Sequence, residues 1–536
     1  MVRKNILAPV IVSAILLSAL VSTVSTSTTP ASAWQINVPL NQALVLEGGE
    51  STNPREYDPA TTHGSGDKRV FSGLVSFDPQ LNLTPDLAET WEVSADGTVY
   101  TFHLRANAKF HNGRAVTAQD VIYSWERAAS PELASDTVLT YLGDIAGVRE
   151  MASGQADSIS GLTTLDEHTL QVTLDAPKPY FVYKLTYPTT FIVDQENVES
   201  DDEWFRQPNG TGPYRMQEWE SFEHIIYEAN PDFYLGAPSI PYIVVQLYSG
   251  VGIRLYESNE IDITGISRYD ADRFLDPTEP LHNELLTGVD LCTSYITFDA
   301  SRAPFDDANV RKAFSMAFDR QKYIDVVLNG HALPANGLYP PALPGFDLTF
   351  KGLSYDPDQA REVLAASKYG GPGGLPPIVF TDSGIGSYVA ADVAAMAQMW
   401  EQNLGVTITV ENLEYDYFYD QIYSGNHGQL FSGGWCADYP DPENFADVLF
   451  HSGSNQNNGS YANPELDAML EAARVERDVT KRIQMYQLAE RIIVDDAAVL
   501  FTVHSLSYQL AKPYVKGYVF TPIDIPIERY MWLDGK

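Results

Sequence analysis

Cysteine is scarce in this sequence: Cys292 and Cys436 are the only two among 536 residues. A structural metal cluster usually takes four ligands, so two widely spaced cysteines cannot build one alone. Disulfides persist in oxidising compartments, and we expect one bond between these two cysteines if the chain is exported. Because that bond would close a long loop, the chain-entropy model predicts a stabilisation of about 5 kcal/mol.

Motifs for catalysis and for metal binding are also missing. The sequence has no Gly-x-x-x-x-Gly-Lys loop, no strand-anchored Gly-x-Gly-x-x-Gly, no His-Glu-x-x-His and no Gly-x-Ser-x-Gly. Its ten histidines are scattered, and the acidic run from Asp438 to Glu443 lacks the spacing and the glycine of an EF-hand loop. We therefore expect no metal, no cofactor and no enzymatic activity. An exported hydrolase is an alternative, because two carboxylates can meet in space without being close in sequence.

Long apolar runs occur only at the N-terminus. Arg3 and Lys4 precede an almost wholly apolar segment, residues 6–24, and the small residues Ala31-Ser32-Ala33 follow. This order is typical of a signal peptide, so we expect residues 1–33 to be removed by cleavage after Ala33. The alternative is an uncleaved anchor helix, because the apolar segment is nearly long enough to span a bilayer. No cysteine directly follows the run to carry a lipid, so we expect the mature protein in a periplasm or outside the cell.

Positive charge is the other scarcity. The chain has 34 Lys and Arg against 71 Asp and Glu, which gives a formal net charge of −37. Such a field opposes binding to nucleic acid and to anionic lipid. It favours a strongly solvated surface, with attraction of cationic ligands as the alternative. Hydrophobic residues make up 44% of the chain, which is ample for packed cores, and a chain of this length is expected to form two or three domains.

Helix and strand patterns are mixed along the chain. Residues 91–105 predict a hairpin, because an Asp-Gly pair supplies the turn between two strand-like segments. Thr117 and Asp120 form a capping-box start for a helix, and Asn463-Pro464 places proline at the first position of another. A further helix is predicted over residues 388–403. The mixture predicts an α/β or α+β architecture.

The segment Gly433–Pro442 combines features of a ligand site. Gly433 and Gly434 let another backbone approach closely. Trp435 offers a flat apolar wall, and Asp438 offers a single negative charge. A strand edge, an aromatic wall and a fixed carboxylate suit an extended peptide with a free amino end. The alternative is an ordinary strand and turn with a buried tryptophan.

Five blocks of sequence carry a resemblance to a known family. They occur in family order across nearly the whole chain: Leu83–Trp91 with its continuation to Arg127, Gly210–Tyr214 with Asn230–Tyr234, Val310–Arg320, Gly434–Phe445 and Lys512–Tyr518. The blocks resemble the family 5 extracellular solute-binding proteins of ABC transporters, of the oligopeptide- and dipeptide-binding type. The resemblance implies a bilobal, periplasmic-binding-protein-like fold of mixed α/β class, in its large type, with a ligand cleft that closes by a hinge motion.

The resemblance also implies how the chain is divided. Residues 34–71, 190–291 and 507–536 would form the core domain of lobe 1. An extra domain, residues 72–189, would pack on that lobe, and residues 292–506 would form lobe 2.

Within the family, the sequence is most similar to the oligopeptide binders. Cys292 and Cys436 match the two positions where those proteins carry a disulfide beside the site. Asp438 matches the carboxylate that pairs with the α-ammonium group of the ligand. The remaining ligand-binding positions implied by the resemblance are a stretch whose backbone pairs with the peptide, two aromatic walls, the two neighbours of the second wall, and two further cleft positions. They are, in that order, His63, Gly64 and Ser65; Tyr415 and Trp435; Gly434 and Cys436; Thr211 and His504.

One departure from the family concerns the far end of the ligand. Some oligopeptide binders place Lys, His and Arg against the peptide carboxylate, where this sequence has Leu328, Val389, Ile422 and Ser432. The resemblance therefore implies a site that reads no fixed peptide length, or a ligand that has no free carboxylate.

The function implied is peptide capture for an ATP-driven importer. The expected partners are a peptide ligand and an ABC permease in the membrane, without nucleic acid, and the expected state is a monomer. One alternative is the same fold with another solute, such as an oligosaccharide or a metal complex. Another is a chaperone or sensor that holds peptide without delivering it.

Overall fold

The computed structural model describes residues 36–51, 53–64, 67–384 and 389–536. The predicted signal peptide lies outside the described residues. Contacts group Pro39–Lys536 into one compact unit, and the helices and strands of the described residues lie in it. Within the described ranges, no helix has both the length and the apolar character needed to cross a membrane.

The helices are mostly short. Over the described residues they are α1 Ala118–Ala128, α2 Val138–Tyr141, α3 Val148–Ala152, α4 Phe181–Lys184, α5 Gln195–Val198, α6 Gly252–Glu257, α7 Ala271–Leu275, α8 Ala308–Met316, α9 Arg320–Val327, α10 Pro357–Ala365, α11 Ala391–Leu404, α12 Tyr415–Ser424, α13 Glu443–Phe450, α14 Pro464–Val475 and α15 Val479–Asp495.

The strands are interspersed with these helices throughout. They are β1 Ala43–Gly48, β2 Val75–Phe77, β3 Leu83–Pro85, β4 Ala88–Val93, β5 Val99–Leu104, β6 Leu162–Asp166, β7 Thr169–Thr173, β8 Tyr214–Glu220, β9 His224–Ala229, β10 Tyr242–Leu247, β11 Ile263–Gly265, β12 Leu285–Phe298, β13 Ala332–Pro334, β14 Ile378–Ser383, β15 Ile408–Leu413, β16 Leu430–Cys436, β17 Val499–Ala511, β18 Val515–Lys516 and β19 Trp532–Leu533.

Several of these elements follow from local sequence signals. The predicted hairpin is confirmed, since β4 and β5 pair in antiparallel fashion. The predicted capping box is confirmed too: the Thr117 N–H donates to the Asp120 carboxylate across 2.8 Å. Proline at position 464 begins α14, and the side chain of Asn463 caps it. The helix predicted over residues 388–403 corresponds to α11, which begins at Ala391 with Ala390 as its N-cap and ends at Leu404; position 388 lies outside the described residues.

One large sheet organises most of the chain. Its order is β15-β14-β16-β12-β17-β11-β1-β10-β9-β8, and β13 adds to β17. At its centre, β12 and β17 pair in antiparallel fashion and have 14 and 13 residues, about twice the usual strand length. One end of β12 pairs with β16, and the far end of β17 pairs with β11. The two long strands therefore connect both halves of the sheet.

A separate four-stranded sheet, β4-β5-β7-β6, lies within residues 72–189. It packs with α1 around a core that contains Phe102, Trp125 and Phe181. A second core, with Phe314 and Trp400, lies under β14 and β16. The strands β12 and β17 each run across one of the boundaries expected from the sequence, those after residues 291 and 506, and the division into domains stays a prediction.

A buried ion cluster ties residues 72–189 to the helix α13. Lys184 Nζ lies 2.9 Å from an Asp144 oxygen and 3.1 Å from a Glu443 oxygen. All three side chains are buried. Buried charges are tolerated when they are paired in this way, and removing one partner leaves the others uncompensated.

Candidate functional site

The strand β16 is open along much of one side. It pairs with β12 over its whole length, from Leu430 to Cys436. On its other side it pairs with β14 at Leu430 and Phe431 alone among the described residues. Residues 432–436 line a cavity instead. Unpaired backbone N–H and C=O groups on such a strand can accept an added extended chain.

The predicted disulfide is present at the end of this strand. Cys292 and Cys436 are register partners on β12 and β16, and their Cα atoms lie 4.0 Å apart. The pair lies where the register between β12 and β17 shifts, between Val289 and Thr293. The disulfide therefore fastens two strands at an irregular point of the sheet.

Two cavities meet at this disulfide, because both cysteines line each of them. The first has a volume of about 670 Å³, and we call it the acidic cavity. Its charged lining residues are Glu47, His63, Lys68, Asp290, Asp438, Asp524 and Glu528.

The second cavity has a volume of about 450 Å³, and we call it the aromatic cavity. It lies on the other side of the disulfide from Asp438. Its aromatic lining residues are Tyr295, Phe418, Tyr419, Tyr423, Phe431, Trp435, Phe450 and Tyr461.

Asp438 is held in place by two side chains. Its Oδ2 accepts hydrogen bonds from the Tyr141 hydroxyl at 2.7 Å and from the Asn444 amide at 2.9 Å. The Asn444 carbonyl oxygen accepts from the Asp438 backbone N–H at 2.9 Å. No described residue donates to Oδ1, so one oxygen is left for a ligand.

Burial raises the pKa of Asp438 above its usual value of 3.8, although Asn444, Tyr141, Lys68 and His63 oppose the rise. A carboxylate that is partly desolvated gains more than an exposed one from a cationic partner. The site is therefore suited to an ammonium group.

Tyr141 is itself fixed by stacking. Its ring lies parallel to that of Tyr187, with ring centroids 3.5 Å apart and planes at 5°. Tyr187 lines the acidic cavity. Because its ring cannot move freely, the Tyr141 hydroxyl holds the Asp438 carboxylate in one orientation.

His63 stands at the boundary of the two cavities. It lines the acidic cavity with Gly64, and its ring stacks on Tyr423 of the aromatic cavity at 5.7 Å. Its Nε2 lies 2.8 Å from an Asp136 oxygen, and that hydrogen bond raises the pKa of His63 above 6.5 against the effect of burial. Ser65, expected beside it, lies outside the described residues.

The predicted aromatic residues differ in position. Trp435 lines the aromatic cavity with Gly434, and its Nε1 donates to the Asn444 carbonyl oxygen at 3.2 Å. Tyr415 lies outside that lining, but its ring contacts Tyr419 at 4.9 Å between centroids.

Two predicted residues are not brought to these cavities. Thr211 is fully buried, and its hydroxyl has no hydrogen-bond partner among the described residues. His504 is buried and bonds to the Thr293 hydroxyl at 2.9 Å. It lines a different cavity of about 190 Å³ with Phe346 and Glu490. Their roles stay predictions.

The four positions expected at the far end of the ligand lie in two different parts of the structure. Ile422 and Ser432 line the aromatic cavity. Leu328 is buried in the core under β14 and β16, and Val389 packs against that core.

Sequence reasoning missed the residues that orient Asp438. Asn444 lies six positions after Asp438, at the start of α13, and within the sequence block Gly434–Phe445 that resembles the family. Tyr141 lies 297 residues away along the chain, and no local pattern indicates it. No group of three or more potential metal ligands occurs among the described residues.

The model of the family described as bacterial extracellular solute-binding proteins, family 5, matches residues 82–457. The chain belongs to this family. Membership confirms the resemblance read from the five sequence blocks, and it makes the protein a solute-binding protein.

Two curated proteins are similar to this chain over most of its length. The periplasmic oligopeptide-binding protein OppA of Salmonella typhimurium is 32% identical over 496 residues, which cover 89% of this chain and 90% of that protein. The probable deoxycholate-binding periplasmic protein YgiS of Escherichia coli is 30% identical over 517 residues, which cover 93% and 95%.

A solved structure confirms the fold. Haemophilus influenzae OppA in complex with RPPGFSPFR has a TM-score of 0.78 to this family 5 protein at 25% identity, and the match covers 92% of this chain and 99% of that one. The mixed α/β, periplasmic-binding-protein-like fold predicted from the sequence is therefore correct.

Proposed function

We propose that this family 5 protein captures oligopeptides outside the cytoplasm and delivers them to an ABC permease. One observation carries the proposal. Asp438 presents an oxygen without a described donor in the acidic cavity, and the open side of β16 begins on the other side of the adjoining disulfide.

The peptide would bind from its amino end. Its α-ammonium group pairs with Asp438, and its extended backbone pairs with residues 432–436 of β16. Side chains then enter the aromatic cavity, where bridging water molecules adapt to different groups. Backbone pairing supplies affinity for any sequence, which suits a receptor for varied nutrients.

The Asp438 contact supplies much of the specificity. A charge pair in a closed site is weakly screened. Removing the carboxylate leaves the ammonium group without a partner, which costs on the order of 3 kcal/mol or more.

Export and release of the mature protein belong to the same proposal. Cleavage after Ala33 yields a protein that acts as a monomer and has no catalytic activity. Closure of the two lobes around the ligand presents the closed form to the permease.

A second candidate is an apolar or amphipathic solute in the same site. The aromatic cavity favours it, since flat rings contact a steroid or a sugar as well as a peptide side chain. The relative named as a probable deoxycholate-binding protein points the same way.

Native mass spectrometry of the exported protein, purified without denaturation, separates the two candidates. A ladder of added masses that match short peptides is the expected result. One non-peptide mass, or a spectrum that stays free of adducts when peptides are added, would reject peptide capture.

A further inference from the structure

The buried ion cluster of Asp144, Lys184 and Glu443 stands apart from both ligand cavities. None of these three residues lines the acidic or the aromatic cavity, and their exposed fractions are only 7%, 4% and 3%. Burying three charges costs desolvation that their attraction offsets in part, so packed apolar side chains in the same place are often at least as stable. The cluster is therefore expected to serve more than stability.

Glu443 fixes the start of α13, from which Asn444 donates to Asp438. Glu443 and Asn444 are the first two residues of that helix. The Glu443 carboxylate lies 3.1 Å from Lys184 Nζ and accepts a hydrogen bond from the Tyr439 hydroxyl. Because Tyr439 directly follows Asp438 in the chain, its bond to Glu443 closes the same turn as the Asp438 bond. A shift of Glu443 would therefore move both ends of that turn.

The other two members of the cluster bear on Tyr141, the second donor to Asp438. Asp144 lies three positions after Tyr141, and Lys184 lies three positions before Tyr187. The Tyr141 and Tyr187 rings stack with their centroids 3.5 Å apart. Lys184 Nζ donates to Asp144 at 2.9 Å, so the two segments that carry the stacked rings are joined a second time, three residues from each ring.

We propose that Lys184, Asp144 and Glu443 are positioning residues, which hold the two donors to Asp438 and so keep its remaining oxygen where a ligand ammonium group needs it. The inference rests on the proposed peptide-binding function. A binding group works only within about 0.5 Å of its productive position, and hydrogen bonds weaken steeply when their angles are poor. Residues 72–189 thus contribute to recognition of the amino end through a layer of charge behind the site.

The test measures binding of tetra-alanine and of N-acetyl-tetra-alanine by calorimetry, on protein stripped of co-purified ligand and refolded. Lys184→Met removes the cation of the cluster, and Lys184→Arg keeps it. Arg311→Met is the matched control, because Arg311 is another buried cation, bonds to three backbone carbonyl groups and lines neither cavity. Circular dichroism and the unfolding temperature establish that each variant is folded.

Lys184→Met is expected to weaken tetra-alanine binding about tenfold, the equivalent of one lost hydrogen bond. The acetylated peptide should stay within about twofold, because the cluster acts only through the contact with the ammonium group. Lys184→Arg should restore most of the affinity, since a guanidinium group can still pair with both carboxylates. Arg311→Met should change the two affinities by the same factor.

A second variant keeps the test decisive if Lys184→Met does not fold. Asp144→Asn preserves the shape of the side chain and leaves Glu443 paired with Lys184. It should weaken tetra-alanine binding by a smaller factor than Lys184→Met, again without weakening binding of the acetylated peptide.

Two results would overturn the positioning role alone: a preference for the free amine that is as large in Lys184→Met as in the wild type, or a loss of equal size for both peptides. If the wild-type protein binds neither peptide, or binds both equally, the proposed function fails at Asp438, and the positioning role fails with it.

Discussion

The two cavities on either side of the disulfide differ in the chemistry they offer. The acidic cavity is lined by several carboxylates, and one of them, Asp438, is oriented by Tyr141 and Asn444. The aromatic cavity has rings, hydroxyls and small residues, and no cation among its described lining residues. One end of the site can therefore recognise a single charge in a fixed place, while the other offers surfaces that tolerate many groups.

This difference shows how one site can be selective for the position of a charged group and still tolerate varied side chains. A buried charge pair is strict about geometry, because a misplaced ammonium group loses both solvation and its partner. Ring contacts and bridging water are tolerant, because each contributes little alone. Under the proposed function, the charge would set the register of the ligand, and the rings would accept varied side chains beyond its first residue.

The largest effect is expected from removing the disulfide that both cavities share. The variant with Cys292→Ala and Cys436→Ala should lose about 5 kcal/mol of unfolding free energy, because the bond closes a loop of 144 residues. Urea denaturation measures the change. A loss below about 1 kcal/mol would mean that the chain-entropy account does not apply to this protein.

The next effect isolates the acidic cavity. Asp438→Asn should weaken binding of a free-amine peptide about 100-fold, which corresponds to about 3 kcal/mol. N-acetylation of the peptide should cause a similar loss in the wild type and little further loss in the variant, which calorimetry can measure as a double-mutant cycle. The exposed Asp157→Asn serves as the charge control; equal affinities for Asp438→Asn and wild type would contradict the Asp438 assignment.

A smaller effect comes from pH. Because burial raises the pKa of Asp438 above 3.8, protonation stabilises the unliganded fold at low pH, and that contribution is lost as pH rises through the raised pKa. Peptide binding requires the carboxylate, so affinity should fall on acidification at a higher pH than for an exposed aspartate. Titrations of affinity against pH should show this slope in the wild type and lose it in Asp438→Asn. A slope of equal size in the variant would assign it to another group, such as His63.

The smallest effect is expected at the aromatic end. Amidation of the peptide carboxylate should change affinity less than twofold, because no described residue that lines the aromatic cavity carries a positive charge. Paired calorimetric titrations with the acid and the amide provide the measurement. A tenfold loss on amidation would show that a cation elsewhere reads the carboxylate, and the contrast between the two cavities would then be smaller than proposed.

The parts of the structure that local sequence determines were predictable. The hairpin of β4 and β5, the capping box at Thr117 and the start of α14 each depend on a few neighbouring residues. The segment around Asp438 also carried its own signals, namely two glycines, a tryptophan and a cysteine.

Features that depend on distant contacts were not predictable in the same way. Tyr141 reaches Asp438 across 297 positions, and no spacing rule reports such a contact. Leu328 and Val389 were expected at the far end of the ligand, yet both pack with the core under β14 and β16. An apolar residue looks the same in sequence whether it lines a cavity or fills a core. The sequence alone therefore could not show that Leu328 and Val389 pack with a core.

The buried cluster of Lys184, Asp144 and Glu443 constrains how this protein can exchange parts with its relatives. Lys184 and Asp144 belong to residues 72–189, while Glu443 belongs to α13. A chimera that imports a relative's version of residues 72–189 without a lysine here would leave Glu443 buried without its cation, with the Tyr439 hydroxyl still bound to it, and removing one partner of such a buried pair costs about 3–5 kcal/mol. Residues 72–189 and α13 are therefore coupled through this cluster, and a chimera is expected to keep its stability only when both sides of the cluster are exchanged together.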